Sequence, residues 1–159
     1  MIPRHIESLF CDDIRREVGG KLSYIGVYSG GMLVPVFPAI LPKLCLSVKI
    51  ITPADDPLRS LTLRVLKDDA VLHEIVVSEQ QLAAASSSIE DLTEEQRKER
   101  SAVTQLQLVF SPIQFEAPCV LKVCVLTEGG ELRGGGLRVD QAQLPADEAS
   151  ASTRAGSPL

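Results

Sequence analysis

A chain of 159 residues with 45% apolar and 23% charged side chains has the composition of one globular domain of ordinary size, and excludes a fibrous or wholly disordered polymer. Its net charge of −5, from 21 acidic and 16 basic side chains, comes without a block of Lys or Arg that could track a phosphate backbone, so no nucleic-acid partner is expected. No run reaches the roughly 20 apolar residues of a membrane helix, and Met1-Ile2-Pro3-Arg4-His5 lacks the apolar stretch of a secretory signal; a cytoplasmic protein with no membrane partner is expected.

In chain order, Ile6 to Asp12 and Leu22 to Tyr28 read as strands on either side of a polar loop, Asp13 to Lys21, whose Gly19-Gly20 can turn the chain. Pro35 to Pro42 carries three prolines, which remove backbone donors and fix φ, so this stretch should cross between strands as extended or turn structure. The clearest signal is period two: Leu44, Leu46, Val48 and Ile50 alternate with Cys45, Ser47, Lys49 and Ile51, as in a strand with one face in a core. Leu61, Leu63 and Val65 repeat it, and Val71 to Val77 follows after the Asp68-Asp69 turn, which makes a hairpin.

Between Ser78 and Arg100 the pattern changes to a long connection with a loop and a short helix over Ile89 to Gln96, where Thr93 and Gln96 match a capping box. The charged run Glu94 to Arg100 mixes both signs and reads as a solvated face. Leu106, Leu108 and Phe110 alternate with Gln105, Gln107 and Val109, and Cys119 to Leu126 is an almost continuous apolar run; both are strands. Gly129-Gly130 turns that run back on Glu131 to Val139, a strand that Gly134-Gly135-Gly136 should weaken or bulge. Small and polar residues dominate from Asp140 on, so the expected division is a domain over 1–139 and a disordered tail over 140–159. About eight short strands with little helix predict an all-β, two-sheet antiparallel β-sandwich, immunoglobulin-like or C2-like, with a barrel as the alternative closure.

The run Leu9-Phe10-Cys11-Asp12-Asp13-Ile14-Arg15-Arg16-Glu17, then Gly20-Lys21-Leu22-Ser23-Tyr24-Ile25-Gly26-Val27-Tyr28, then Phe37-Pro38 and Leu41-Pro42-Lys43-Leu44, resembles an uncharacterised bacterial family, a domain of unknown function. The resemblance covers the first half of the chain and continues in diluted form to about Val139. It implies a bacterial cytoplasmic or prophage origin and no activity, and it carries no catalytic residue over to this sequence. Physically the motif is architectural: Asp12 and Asp13 can accept hydrogen bonds from loop groups, and Gly26 inside a strand marks a bulge or a closely approaching chain.

Nothing in the sequence assembles a reaction centre, and no catalytic residue or cofactor is expected. His5 and Cys11 are six residues apart on one strand, roughly 20 Å, too far for a thiol and its base. Cys11, Cys45, Cys119 and Cys124 lack C-x-x-C spacing and read as reduced thiols. His73 lies on a strand and reads as structural, and the glycine pairs match no phosphate loop. Asp12 and Asp13 with Asp55 and Asp56 could share one end of a sandwich as loop carboxylates for a hard cation, a weak metal candidate against the ordinary reading of turn residues. Asp68 and Asp69 fall at the opposite end of the strand Leu61 to Lys67 from that second pair.

The preferred function is a non-catalytic protein-binding or assembly module, with a protein partner or self-association through unpaired strand edges. Ile51, Leu66, Val109 and Leu126 fall out of phase with the inferred core and could cover an interface. The alternative is a small-molecule or calcium-binding sandwich, or a weak hydrolase, at the Asp12, Asp13, Asp55 and Asp56 end.

Overall fold

The structure, a computed structural model, describes residues 3–143, with the side chains of 87–89 left out. Its first sheet has the order β2-β1-β5-β8, from β1 (His5–Arg16), β2 (Leu22–Val27), β5 (Leu44–Pro53) and β8 (Ser101–Phe110). The second has the order β3-β12-β10-β6-β7, from β3 (Gly31–Val34), β6 (Leu61–Lys67), β7 (Ala70–Val77), β10 (Cys119–Thr127) and β12 (Leu137–Gln141), with β11 (Gly130–Arg133) also on β10. A small ladder joins β4 (Ala39–Leu41) to β9 (Ile113–Phe115). All pairings are antiparallel except β12 with β3.

The two sheets bury one core. Leu44, Leu46, Val48 and Ile50 of β5 share it with Leu61, Leu63 and Val65 of β6, Leu121, Val123 and Val125 of β10, and Leu137 and Val139 of β12. The period-two reading therefore identified the inner faces of β5 and β6, and each such side chain contributes about 1.5–3 kcal/mol by leaving water. The fold is all-β and antiparallel-dominated, with the two sheets packed as a sandwich.

Both hairpins expected from the sequence are present, β6 with β7 across Asp68-Asp69 and β10 with β11 across Glu128-Gly129. The three glycines split the returning strand as expected: β11 pairs with Cys124 to Thr127 of β10, and β12 with Cys119 to Leu121. A Cβ at Gly136 would lie 2.6 Å from the Leu121 carbonyl oxygen, so only glycine permits this approach.

Elsewhere the structure corrects the reading. Asp13 to Arg16 is strand rather than loop, because β1 changes partner along its length: His5 to Cys11 pairs with β5 and Cys11 to Arg16 with β2. The proline-rich stretch holds β4, whose three residues fit between Pro38 and Pro42 and pair with β9. The short strand β3, between Gly30 and Pro35, pairs in parallel with β12. Because Asp140 and Gln141 pair with Leu33 and Val34, the ordered chain passes the expected boundary at 139, and 144–159 lie outside the described residues.

The connection between β7 and β8 is two helices, α1 (Glu79–Glu90) and α2 (Glu94–Glu99). The Thr93–Gln96 capping box opens α2 as expected. Leu82 of α1 and Leu58 of the β5–β6 loop are buried in the core and close one end of the sandwich. On the β7–β8 side, His73 meets Phe110 edge to face, with ring centroids 6.1 Å apart.

Candidate functional site

The motif of the first half builds an arm. Past Cys11, β1 leaves the β5 ladder and, paired with β2, folds across the outer face of the first sheet, which explains why Cys45 and Ser47 are buried although they point away from the core. Tyr24 Oη lies 3.1 Å from Ser47 Oγ, and Gln105 Nε2 of β8 donates to both oxygens, at 2.8 and 3.2 Å. The arm tip ends beside β8, where Arg16, Gly20 and Leu22 line a cavity of about 420 Å³ with Gln105, Leu106 and Gln107.

Asp12 and Asp13 fasten this arm. Tyr28 Oη donates to Asp12 Oδ1 at 2.5 Å, while Asp13 accepts from Arg15 at 3.2 Å and from Lys43. The Lys43 and Arg15 bonds hold the Asp13 carboxyl below its ordinary range. Burial, then the bond to Asp12, pushes the Tyr28 hydroxyl up to about 12. Burial, then the neighbouring Cys45 and Asp12, pushes the Cys11 thiol up to about 11. Gly26 sits against Asp12 with φ +66°, where a Cβ would fall 2.1 Å from Asp12 Oδ2.

Asp55 and Asp56 lie elsewhere. They follow the far end of β5, whose first residues hold Cys45 beside Asp12 and whose ten residues span about 30 Å. The expectation that these carboxylates share one end is thus corrected: an antiparallel β1–β5 ladder carries Asp12 and Asp13 to the opposite end from the β5–β6 loop. Asp56 instead receives Arg4, through its carbonyl at 3.0 Å and its carboxylate at 3.2 Å. Arg4 also donates to Glu128 at 2.7 Å. In the other pair, Asp68 accepts Val120 N–H and Asp69 accepts Lys122. Among the described residues no three His, Cys, Asp or Glu side chains gather closely enough to hold a metal ion.

The histidines and thiols are engaged in structure. His5 Nδ1 lies 2.8 Å from the Pro3 carbonyl oxygen, His73 packs on Phe110, and all four cysteines are free and buried. Burial, ahead of the surrounding charges, also raises the thiols of Cys119 and Cys124.

What remains is a groove of about 630 Å³ on the outer face of the second sheet. Leu66, Val71, Val120, Cys124 and Leu126 form its floor. Ion pairs run across and beside it: Arg64 to Glu74 at 2.5 Å and Lys122 to Asp69 at 3.0 Å start from the floor strands β6 and β10, and Arg133 to Glu131 at 2.8 Å lies on β11. Two of the out-of-phase residues, Leu66 and Leu126, belong to it; Ile51 and Val109 lie on the other sheet. Sequence reading missed Val120 and Cys124 as floor residues, although the near-continuous apolar run from Cys119 to Leu126 carried the signal, since alternation alone would leave every second position polar.

A family of unknown function (DUF6941) matches residues 7–140. No curated protein and no solved structure matches the chain. No helix among the described residues is long and apolar enough to cross a membrane.

Proposed function

Because the chain belongs to this family of unknown function, DUF6941, we propose from its geometry that it is a non-catalytic protein-binding module whose partner covers the groove on the second sheet. The observation that carries this reading is the floor of Leu66, Val71, Val120, Cys124 and Leu126, apolar side chains on the face that the core does not use. Lys122 and Arg64 rise between these apolar side chains, each in an ion pair, so the face presents apolar surface interleaved with charge, the mixture that a protein interface carries. The non-catalytic half of the reading is supported by the thiols, three of which burial holds more firmly protonated than usual, and by the two histidines, each occupied in a structural contact. Free Cys11 and Cys45, opposite one another across β1 and β5, suit a reducing compartment such as the cytoplasm.

The test is photo-crosslinking in the native host with a photoreactive residue at Val71. A single reproducible protein adduct, lost in Leu126→Glu and kept in Val18→Glu, is expected. An adduct indifferent to Leu126→Glu, or no adduct in cells that express the folded chain, overturns the reading.

A further inference from the structure

We propose that two copies of this chain pair through β8, antiparallel about a twofold axis, so that their first sheets join into one continuous sheet. Strand β8 pairs with β5 along its whole length, from Ser101 opposite Pro53 to Phe110 opposite Leu44, and is the end strand of its sheet. Among the described residues its backbone hydrogen bonds run only to β5, which leaves a row of donors and acceptors facing outward.

Unpaired edges are ordinarily protected by charge, proline, a bulge or shortness. The other edges of the two large sheets carry such protection: β7 has a register shift between Val65 and Leu66 of its partner and bears Glu74, β3 and β11 are four residues long, and β2 is six and contains Gly26. By contrast, β8 is ten residues without Lys, Arg, Asp, Glu, Pro or Gly, and its ladder with β5 has no break. In a chain that is 23% charged, this absence makes β8 compatible with itself, since like charges opposite one another would otherwise oppose a symmetric pairing.

The side chains agree with that partner. With Leu106 on the axis, antiparallel geometry places Val103 of one copy opposite Val109 of the other and Gln105 opposite Gln107, apolar against apolar and amide against amide. Val103 and Val109 are 58% and 57% exposed in the single chain, and each would gain a neighbour. This surface is separate from the groove, so the two proposals stand or fall independently.

Sedimentation velocity from micromolar to millimolar concentration reads the mass, and hydrogen exchange reads the place. A dimer is expected, with protection of the β8 amides rising with concentration; Val103→Lys with Val109→Lys should raise its Kd at least tenfold, whereas Leu72→Lys with Val76→Lys on β7 and Leu126→Glu in the groove should leave it unchanged. A monomer at millimolar concentration, or a dimer whose β8 exchange ignores concentration, overturns the proposal. Should the double lysine variant fail to fold, an equimolar mixture of Gln105→Cys and Gln107→Cys oxidised with diamide must give a disulfide-linked heterodimer, since the native thiols are buried; its absence refutes the pairing.

Discussion

Cys11 and Cys45 stand opposite one another on β1 and β5, both fully buried, and their thiols turn to neighbouring backbone: Cys11 Sγ donates to the Asp13 carbonyl at 3.4 Å and Cys45 Sγ to that of Asp12 at 3.8 Å. The pair therefore anchors the root of the arm from beneath. Because thiolate is the reactive form and the Cys11 thiol titrates near 11, native protein at neutral pH is expected to be inert to Ellman's reagent, and all four cysteines should react once it is unfolded. Fast reaction of Cys11 in folded protein would contradict this burial.

Glu128 is the acid-sensitive tie at the other end. Partial burial by itself would raise its pKa, but bonds from the Ser60 amide, its own amide, Arg4 and the Arg59 amide outweigh that and lower it from 4.5 to about 2. A carboxyl depressed on folding contributes stability that is complete above 4.5 and fades as pH falls toward 2. Glu128→Gln is expected to cost on the order of 1–2 kcal/mol at pH 7, after solvent screening of this partly exposed side chain. Urea melts should show the gap between variant and parent closing across that acid window; a gap independent of pH would assign the loss to packing instead.

Gly26 is fixed by conformation and by space together. A side chain there meets the left-handed backbone, which costs roughly 1–2 kcal/mol, and also displaces the Asp12 carboxylate that receives Tyr28. Gly26→Ala should therefore destabilise by about 2 kcal/mol or more, and Asp12→Ala should recover the steric share but not the backbone share. Strict additivity of the two substitutions in denaturant melts would dismiss the contact between them.

How much of this could be read beforehand follows from distance along the chain. The inner faces of β5 and β6 were legible because alternation is a local consequence of one-sided burial, whereas β10, apolar on both faces, was legible as a strand. The arm was not, because no local pattern says that a strand changes partner at Cys11, and β3 was not, because its parallel pairing with β12 joins residues far apart in sequence. The groove was half legible: Leu66 and Leu126 stood out of phase, but which out-of-phase residues share one face depends on sheet order. The start of helix α1 carries the same local signal as that of α2. Ser78 and Gln81 form a reciprocal cap, Ser78 N–H donating to Gln81 Oε1 at 3.0 Å and Gln81 N–H to Ser78 Oγ at 3.2 Å, in the same spacing that revealed α2.

The two helices should consequently respond differently to substitution. α1 inserts Leu82 into the core at 4% exposure, whereas α2 buries no residue and rests on its cap. Leu82→Ala removes most of a buried side chain from the end of the sandwich and is expected to cost about 2–4 kcal/mol. Thr93→Ala removes one cap from an exposed helix of six residues, so it should fray α2 and change global stability by under about 1 kcal/mol. Hydrogen exchange separates the cases: Leu82→Ala should speed exchange across β5, β6 and β10 together, and Thr93→Ala only within α2. Equal costs for both would mean that the helical connection is held by something other than its one buried anchor.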